Sequence, residues 1–183
     1  MSTCNAVVGA ALVAVAWLAP CAAQETPKLG VPATPEQVAS WDVSIAPDGS
    51  TLPPGSGNAR TGATVYEAKC LACHGKEGAG TPNDPLVGGR GSLKNAAPLK
   101  TIGSYWPYAT TVFDYVRRAM PYVQPHSLTD DETYSLVAYL LFLNGVIADR
   151  DEMSAKTLPA VAMPNREGFD LAYPESSRRS RKP

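Results

Sequence analysis

Cys70-Leu71-Ala72-Cys73-His74 is the stretch from which the rest of the chain is read. Two thiols three positions apart lie on one helical turn and an imidazole follows directly, the C-x-x-C-H pattern through which c-type haem is attached. The spacing lets both sulfurs reach the two vinyl groups of a porphyrin as thioethers, with His74 facing the iron. A redox dithiol of thioredoxin type belongs in a βαβ setting, and no such alternation of strand and helix patterns is present here. A structural zinc site needs four ligands, and two cysteines and a histidine packed this tightly could not close a tetrahedron without strain.

Working outward, residues 60–70 (RTGATVYEAKC) contain few breakers after Gly62 and read as a helix running into the cysteines, with Val65 and Tyr66 towards the core. Residues 75–108 are rich in glycine and proline and show no obvious element. Structureless loops of this length are uncommon unless something else organises them, and a flat apolar macrocycle would do so by being wrapped. Thr110 or Thr111 can cap a short helix over VFDYVRRAM, which Pro121 stops. Thr129-Asp130-Asp131-Glu132 is a capping box with acids at the positive end of the dipole, and a helix bearing Leu136, Val137, Leu140 and Leu141 follows until Asn144-Gly145 ends it.

Iron held by His74 needs a sixth ligand or an open position. Met120 is the leading candidate, ending a helix between the haem motif and the capped final helix, and its thioether would raise the reduction potential relative to a second histidine. Met163, also followed by proline, is second in line. Met153, among charges in DRDEMSAK, is expected to be exposed, and His126 reads as a solvated loop histidine. Tyr66, Tyr105, Trp106, Tyr108 and Tyr139 could line the haem or donate hydrogen bonds to its propionates, while Arg90 or Lys100 could pair with those carboxylates.

Residues 1–23 carry an apolar run from Ala6 to Ala19, then Pro20 and small residues, and read as a signal peptide cleaved near Ala23. The run falls short of the ~20 residues needed to span a bilayer. A lipoprotein box at Leu18-Ala19-Pro20-Cys21 is the alternative. With cleavage, Cys4 and Cys21 leave, and Cys70 and Cys73 are the only two of the four cysteines that remain. Residues 24–58 read as a Pro/Gly-rich arm with one short helical turn from Thr34-Pro35 to about Trp41, whose indole is expected to pack. Residues 59–146 form the haem-bearing domain, and 147–183 a C-terminal wrap ending in the basic tail SRRSRK. The formal net charge of -1 provides no whole-molecule field for nucleic acid or an anionic membrane.

In this order, helix, C-x-x-C-H, loop, methionine and final helix, the chain resembles a class I cytochrome c. That resemblance implies an all-α fold around one covalent haem c, with the first and last helices crossing near Gly62/Tyr66 and Tyr139. A narrower resemblance lies in residues 41–57 (WDVSIAPDGSTLPPGSG), 85–121 (PLVGGRGSLKNAAPLKTIGSYWPYATTVFDYVRRAMP), 127–145 (SLTDDETYSLVAYLLFLNG) and 162–169 (AMPNREGF). These are similar to the cytochrome (SoxD-like) subunit of bacterial Sox sulfur dehydrogenase and to related sulfite dehydrogenase cytochromes. The resemblance implies His74 and Met120 as axial pair and single-electron transfer in the periplasm. It also implies a molybdenum-cofactor partner that oxidises sulfite or a cysteine-bound sulfane sulfur, and a downstream periplasmic cytochrome that receives the electrons. Some members carry two haems; this chain has a single C-x-x-C-H. A free-standing shuttle to a terminal oxidase, or an open-site haem enzyme or sensor, are the alternative readings.

Overall fold

The computed structural model describes residues 29–170 and residue 172. The expected signal peptide, the possible lipidation site at Cys21 and the basic tail lie outside them. The chain divides into two units, residues 1–39 and 40–183. Helix α1 (Pro35–Trp41) runs through that division and buries none of its residues. Its start is fixed by Thr34, whose hydroxyl accepts from the Gln37 N–H while the Gln37 side chain accepts from the Thr34 N–H. Trp41, expected to pack, is instead 87% exposed. A seven-residue helix with no buried side has nothing to lay an indole against.

In the second unit the helices are α2 (Ala59–Lys69), α3 (Leu71–His74), α4 (Ala109–Ala119) and α5 (Asp130–Leu143), beside a two-stranded antiparallel ladder of β1 (Ser56–Asn58) and β2 (Glu152–Ser154). The fold is all-α in its core, as the resemblance implies. α2 starts on Asn58, whose side chain accepts from the Arg60 and Thr61 N–H groups, and its buried residues Ala59, Gly62 and Tyr66 follow helical steps along one stripe. α5 begins with the expected capping box of Thr129 and Glu132. It is apolar almost all round, burying Tyr134, Leu136, Val137, Leu140 and Leu141, and Gly145 ends it in the left-handed region at φ 64°.

α2 and α5 cross where side chains give way. A Cβ on Gly62 would overlap the Ser135 carbonyl of α5 and stand 2.8 Å from Tyr139 Cβ. One turn on, the rings of Tyr66 and Tyr139 lie 5.4 Å apart, tilted by 59°. Gly62 thus sets the distance and the aromatic pair fills the space beside it. α4 completes the core with Val112, Phe113 and Val116, Phe113 lying 4.5 Å from the Tyr134 ring.

Four local expectations differ. α4 starts at Ala109, and neither threonine is its N-cap. The Thr110 hydroxyl donates to Pro47 O at 2.8 Å, and the Thr111 hydroxyl turns back to Tyr108 O at 2.8 Å. The second half of the proline-rich arm belongs to the compact unit, because Ile45 is buried with its N–H on the Asp114 carboxylate and Pro53 O accepts from the Tyr134 hydroxyl. Met153 is only 4% exposed, facing Gly57 across the ladder and turning inward although its neighbours are charged. Leu158 and Met163 join it in the core, so the segment after residue 146 contributes packing as well as wrap.

Candidate haem site

The cysteines and His74 sit where α2 breaks. Cys70 closes α2 by donating its N–H to Tyr66 O at 2.8 Å, departs from helical geometry at φ −124°, and hands the chain to the single turn of α3. The Cys70 carbonyl then accepts from Cys73 N at 3.1 Å and His74 N at 3.0 Å, which keeps the two thiols and the imidazole on one turn. Cys70 is half-buried and Cys73 exposed, both as free thiols. Burial pushes the Cys70 thiol up to about 11, with the neighbouring Lys69 opposing and Cys73 adding to the rise. Dithiols that work by exchange have thiols pulled the other way, towards thiolate, so this environment is unlike theirs.

The turn is locked from outside as well. Asn83 N donates to Cys73 O at 3.1 Å, Gly80 N to His74 O at 2.9 Å, and the Tyr66 hydroxyl to Gly75 O at 2.8 Å. Gly75 has φ 72° and would place a Cβ 2.7 Å from Gly80 O, so the chain leaves His74 by a path open to glycine. The His74 side chain is different: its Nδ1 is buried with no hydrogen-bond partner. A buried, unpaired ring nitrogen is costly unless the imidazole has another use.

Farther along, the 75–108 segment is tied down by side chains. Asn144, at the end of α5, accepts from Gly88 N at 3.3 Å and donates to Leu86 O at 3.2 Å and Leu140 O at 2.8 Å. Thr101 and Ser104, both buried, bond each other; the Thr101 hydroxyl donates to Gly88 O at 2.6 Å and the Ser104 hydroxyl to Leu99 O at 2.6 Å. Sequence reasoning missed these three residues as loop organisers. Their signal is the short polar side chain beside glycine in Thr101-Ile102-Gly103-Ser104 and Asn144-Gly145.

Met120 ends α4, its N–H on Val116 O at 3.1 Å, and stands half-buried against the same core that Cys70 and Leu71 touch. Met163 is a buried core residue, and His126 is exposed with φ 62°. The residues considered for propionates have protein partners. Arg90 donates to Asn144 O at 3.3 Å, the Lys100 ammonium lies 5.1 Å above the Tyr105 ring, and Trp106 meets Tyr115 edge-on at 5.8 Å.

With two thiols and an imidazole on one locked turn, the chain can be compared with known proteins. Residues 57–140 match the family described as cytochrome c oxidase, cbb3-type, subunit III. Among solved structures the chain is similar to the sulfane dehydrogenase SoxCD from Paracoccus pantotrophus, at 41% identity and a TM-score of 0.74, over 86% of this chain and 77% of that one. The chain belongs to the SoxD-like class I c-type cytochromes. No curated protein matches it.

A cytochrome c domain implies haem c, and the residues of this cytochrome fit it. The donor set on the turn offers two thioether-forming sulfurs and one imidazole. The His74 imidazole, whose buried Nδ1 has no protein partner, is of the kind that serves as a metal ligand. The domain is an electron-transfer module. Among the described residues no helix is long and apolar enough to cross a membrane.

Proposed function

We propose that this cytochrome carries one haem on Cys70 and Cys73, with His74 and Met120 as axial ligands. We further propose that it is the electron-accepting subunit of a periplasmic molybdenum-dependent sulfur or sulfite dehydrogenase. The observation that carries the reading is the likeness to SoxCD over most of both chains, joined to the single C-x-x-C-H turn. Bound haem supplies a one-electron Fe(III)/Fe(II) couple. The chain's own residues would do the rest: Cys70 and Cys73 would tether the group, and His74 and Met120, the latter half-buried against the core, would hold its iron. A thioether there favours the reduced state relative to a second imidazole, which suits an acceptor of electrons.

Oxidation of sulfur takes place on the partner, and a downstream periplasmic cytochrome takes the electron onward. Tyr122 and Val123, each 85% exposed directly after Met120-Pro121, give a partner apolar surface to cover beside the proposed ligand. Export by the segment at 1–23 belongs to the same reading, since haem is joined to such motifs outside the cytoplasm. The test is to mature the chain with haem, mix it with its candidate molybdenum subunit, add sulfite or a sulfane-sulfur donor and follow haem reduction. Reduction that needs both the partner and the sulfur substrate is expected. No complex and no reduction would remove the partner assignment while leaving the cytochrome itself intact.

A further inference from the structure

We infer that Tyr66 is a positioning residue for the iron ligand His74, acting through the Gly75 carbonyl that its hydroxyl holds. This rests on His74 being the ligand, as proposed above. Tyr66 is 3% exposed, on the face of α2 that meets α5, and its ring is wedged against Tyr139. From that fixed place its hydroxyl reaches nine residues ahead, past the whole haem motif, to donate to Gly75 O at 2.8 Å.

The residue so held is the one that follows His74, and its left-handed backbone is confined on the far side by Gly80 O. His74 is therefore bracketed. Its N–H is fixed on Cys70 O, its carbonyl accepts from Gly80 N, and the next carbonyl is held by Tyr66. The imidazole has no protein partner at the buried Nδ1, so no side-chain hydrogen bond sets its rotation. Orientation then rests on packing and on the backbone to which the ring is attached, and the Tyr66 hydroxyl ties this backbone to the crossing of α2 and α5. Burial pushes the phenol up to about 12, so it stays a donor through the working pH range.

The molecule contains its own control. Tyr134 is also buried and also donates to a backbone carbonyl, Pro53 O at 2.8 Å, in a stretch with no haem ligand. Tyr66→Phe and Tyr134→Phe each remove one hydroxyl and keep the ring, so both should fold. The experiment compares the two haem-loaded variants with wild type by paramagnetically shifted haem methyl resonances, low-spin electron paramagnetic resonance g-values and midpoint potential.

Tyr66→Phe should move all three, and speed amide exchange at residues 74–80 by up to about tenfold, the factor one net hydrogen bond carries. Tyr134→Phe should lose similar stability and move none of them. Unchanged spectra and potential in Tyr66→Phe, or equal changes in both variants, would overturn the positioning role. A wild-type spectrum without a low-spin, histidine-ligated iron would overturn it together with the ligand assignment, so the two failures are told apart. A readout that needs no variant is the Tyr66 hydroxyl proton in wild type: slow exchange is expected, and exchange as fast as an exposed phenol's contradicts the clamp.

Discussion

The crossing of α2 with α5 and the 75–108 segment lie side by side in one small domain and are held by opposite means. At the crossing, Gly62 removes its side chain so that two backbones approach, and Tyr66 and Tyr139 fill what is left. In the segment Ile102 reaches the core and Leu86 and Trp106 pack against it, but its backbone groups are ordered by polar side chains, Asn144, Thr101 and Ser104, that give them their partners. Packing of the first kind tolerates no added volume. Clamping of the second kind depends in addition on every donor and acceptor, although its close turns also exclude volume, since a Cβ on Gly89 or Gly103 would meet Leu99 O or the Asn144 side chain.

The largest expected effect is at the crossing. Gly62→Val would drive its branches into the Ser135 carbonyl and should cost ~3 kcal/mol or more, the upper end for overpacking, seen as a lower midpoint in urea unfolding. An unchanged midpoint would mean the two helices can part without penalty and would break the contrast.

Asn144→Ala comes next. It adds no volume but removes the side-chain partner of Gly88 N and one of the two donors to Leu86 O, which keeps Ile102 N, at a cost of about 0.5–1.5 kcal/mol. The distinguishing measurement is native-state amide exchange: residues 86–103 should open more often, while the α2 and α5 amides stay as protected as global stability allows. Uniform acceleration across the domain would show that segment and crossing open together.

The smallest effect is at the start of α5. The Lys69 ammonium, 2.7 Å away, and then the Thr129 N–H hold the Glu132 carboxyl below its ordinary 4.5. A depressed folded-state value contributes stability above pH 4.5 that is lost as pH falls through the folded value. Glu132→Gln should therefore lower stability at neutral pH by less than about 1 kcal/mol and leave it unchanged in acid, where wild type has already lost the term. A deficit that persists in acid would place the contribution elsewhere than in the charge.

This contrast also explains what was legible in the sequence. Helices with strong local signals, the Thr129 capping box and the Val65/Tyr66 face of α2, could be read directly, because their partners lie three or four residues away, whereas the crossing at Gly62 came only with the family resemblance. The C-x-x-C-H turn was legible for the same reason. Met153 was misjudged because the neighbouring charges carry no information about which way a short strand faces, and that was settled by pairing with Gly57 far off in sequence. The arm at 42–58 read as loose because its proline-interrupted backbone is held by Asp114, Thr110 and Tyr134, donors and acceptors more than sixty positions away. Trp41 was expected to be buried on size alone, and size does not supply a partner.

The axial pair is tested most directly by absorption spectra of the haem-loaded chain and of Met120→Ala, oxidised and reduced, with a pyridine haemochrome count of haem per chain. One haem, a low-spin spectrum and a far-red sulfur-to-iron band that Met120→Ala abolishes, together with a lower potential, are the expected results. A high-spin wild-type spectrum that binds carbon monoxide, or a far-red band that survives Met120→Ala, would contradict ligation by His74 and Met120.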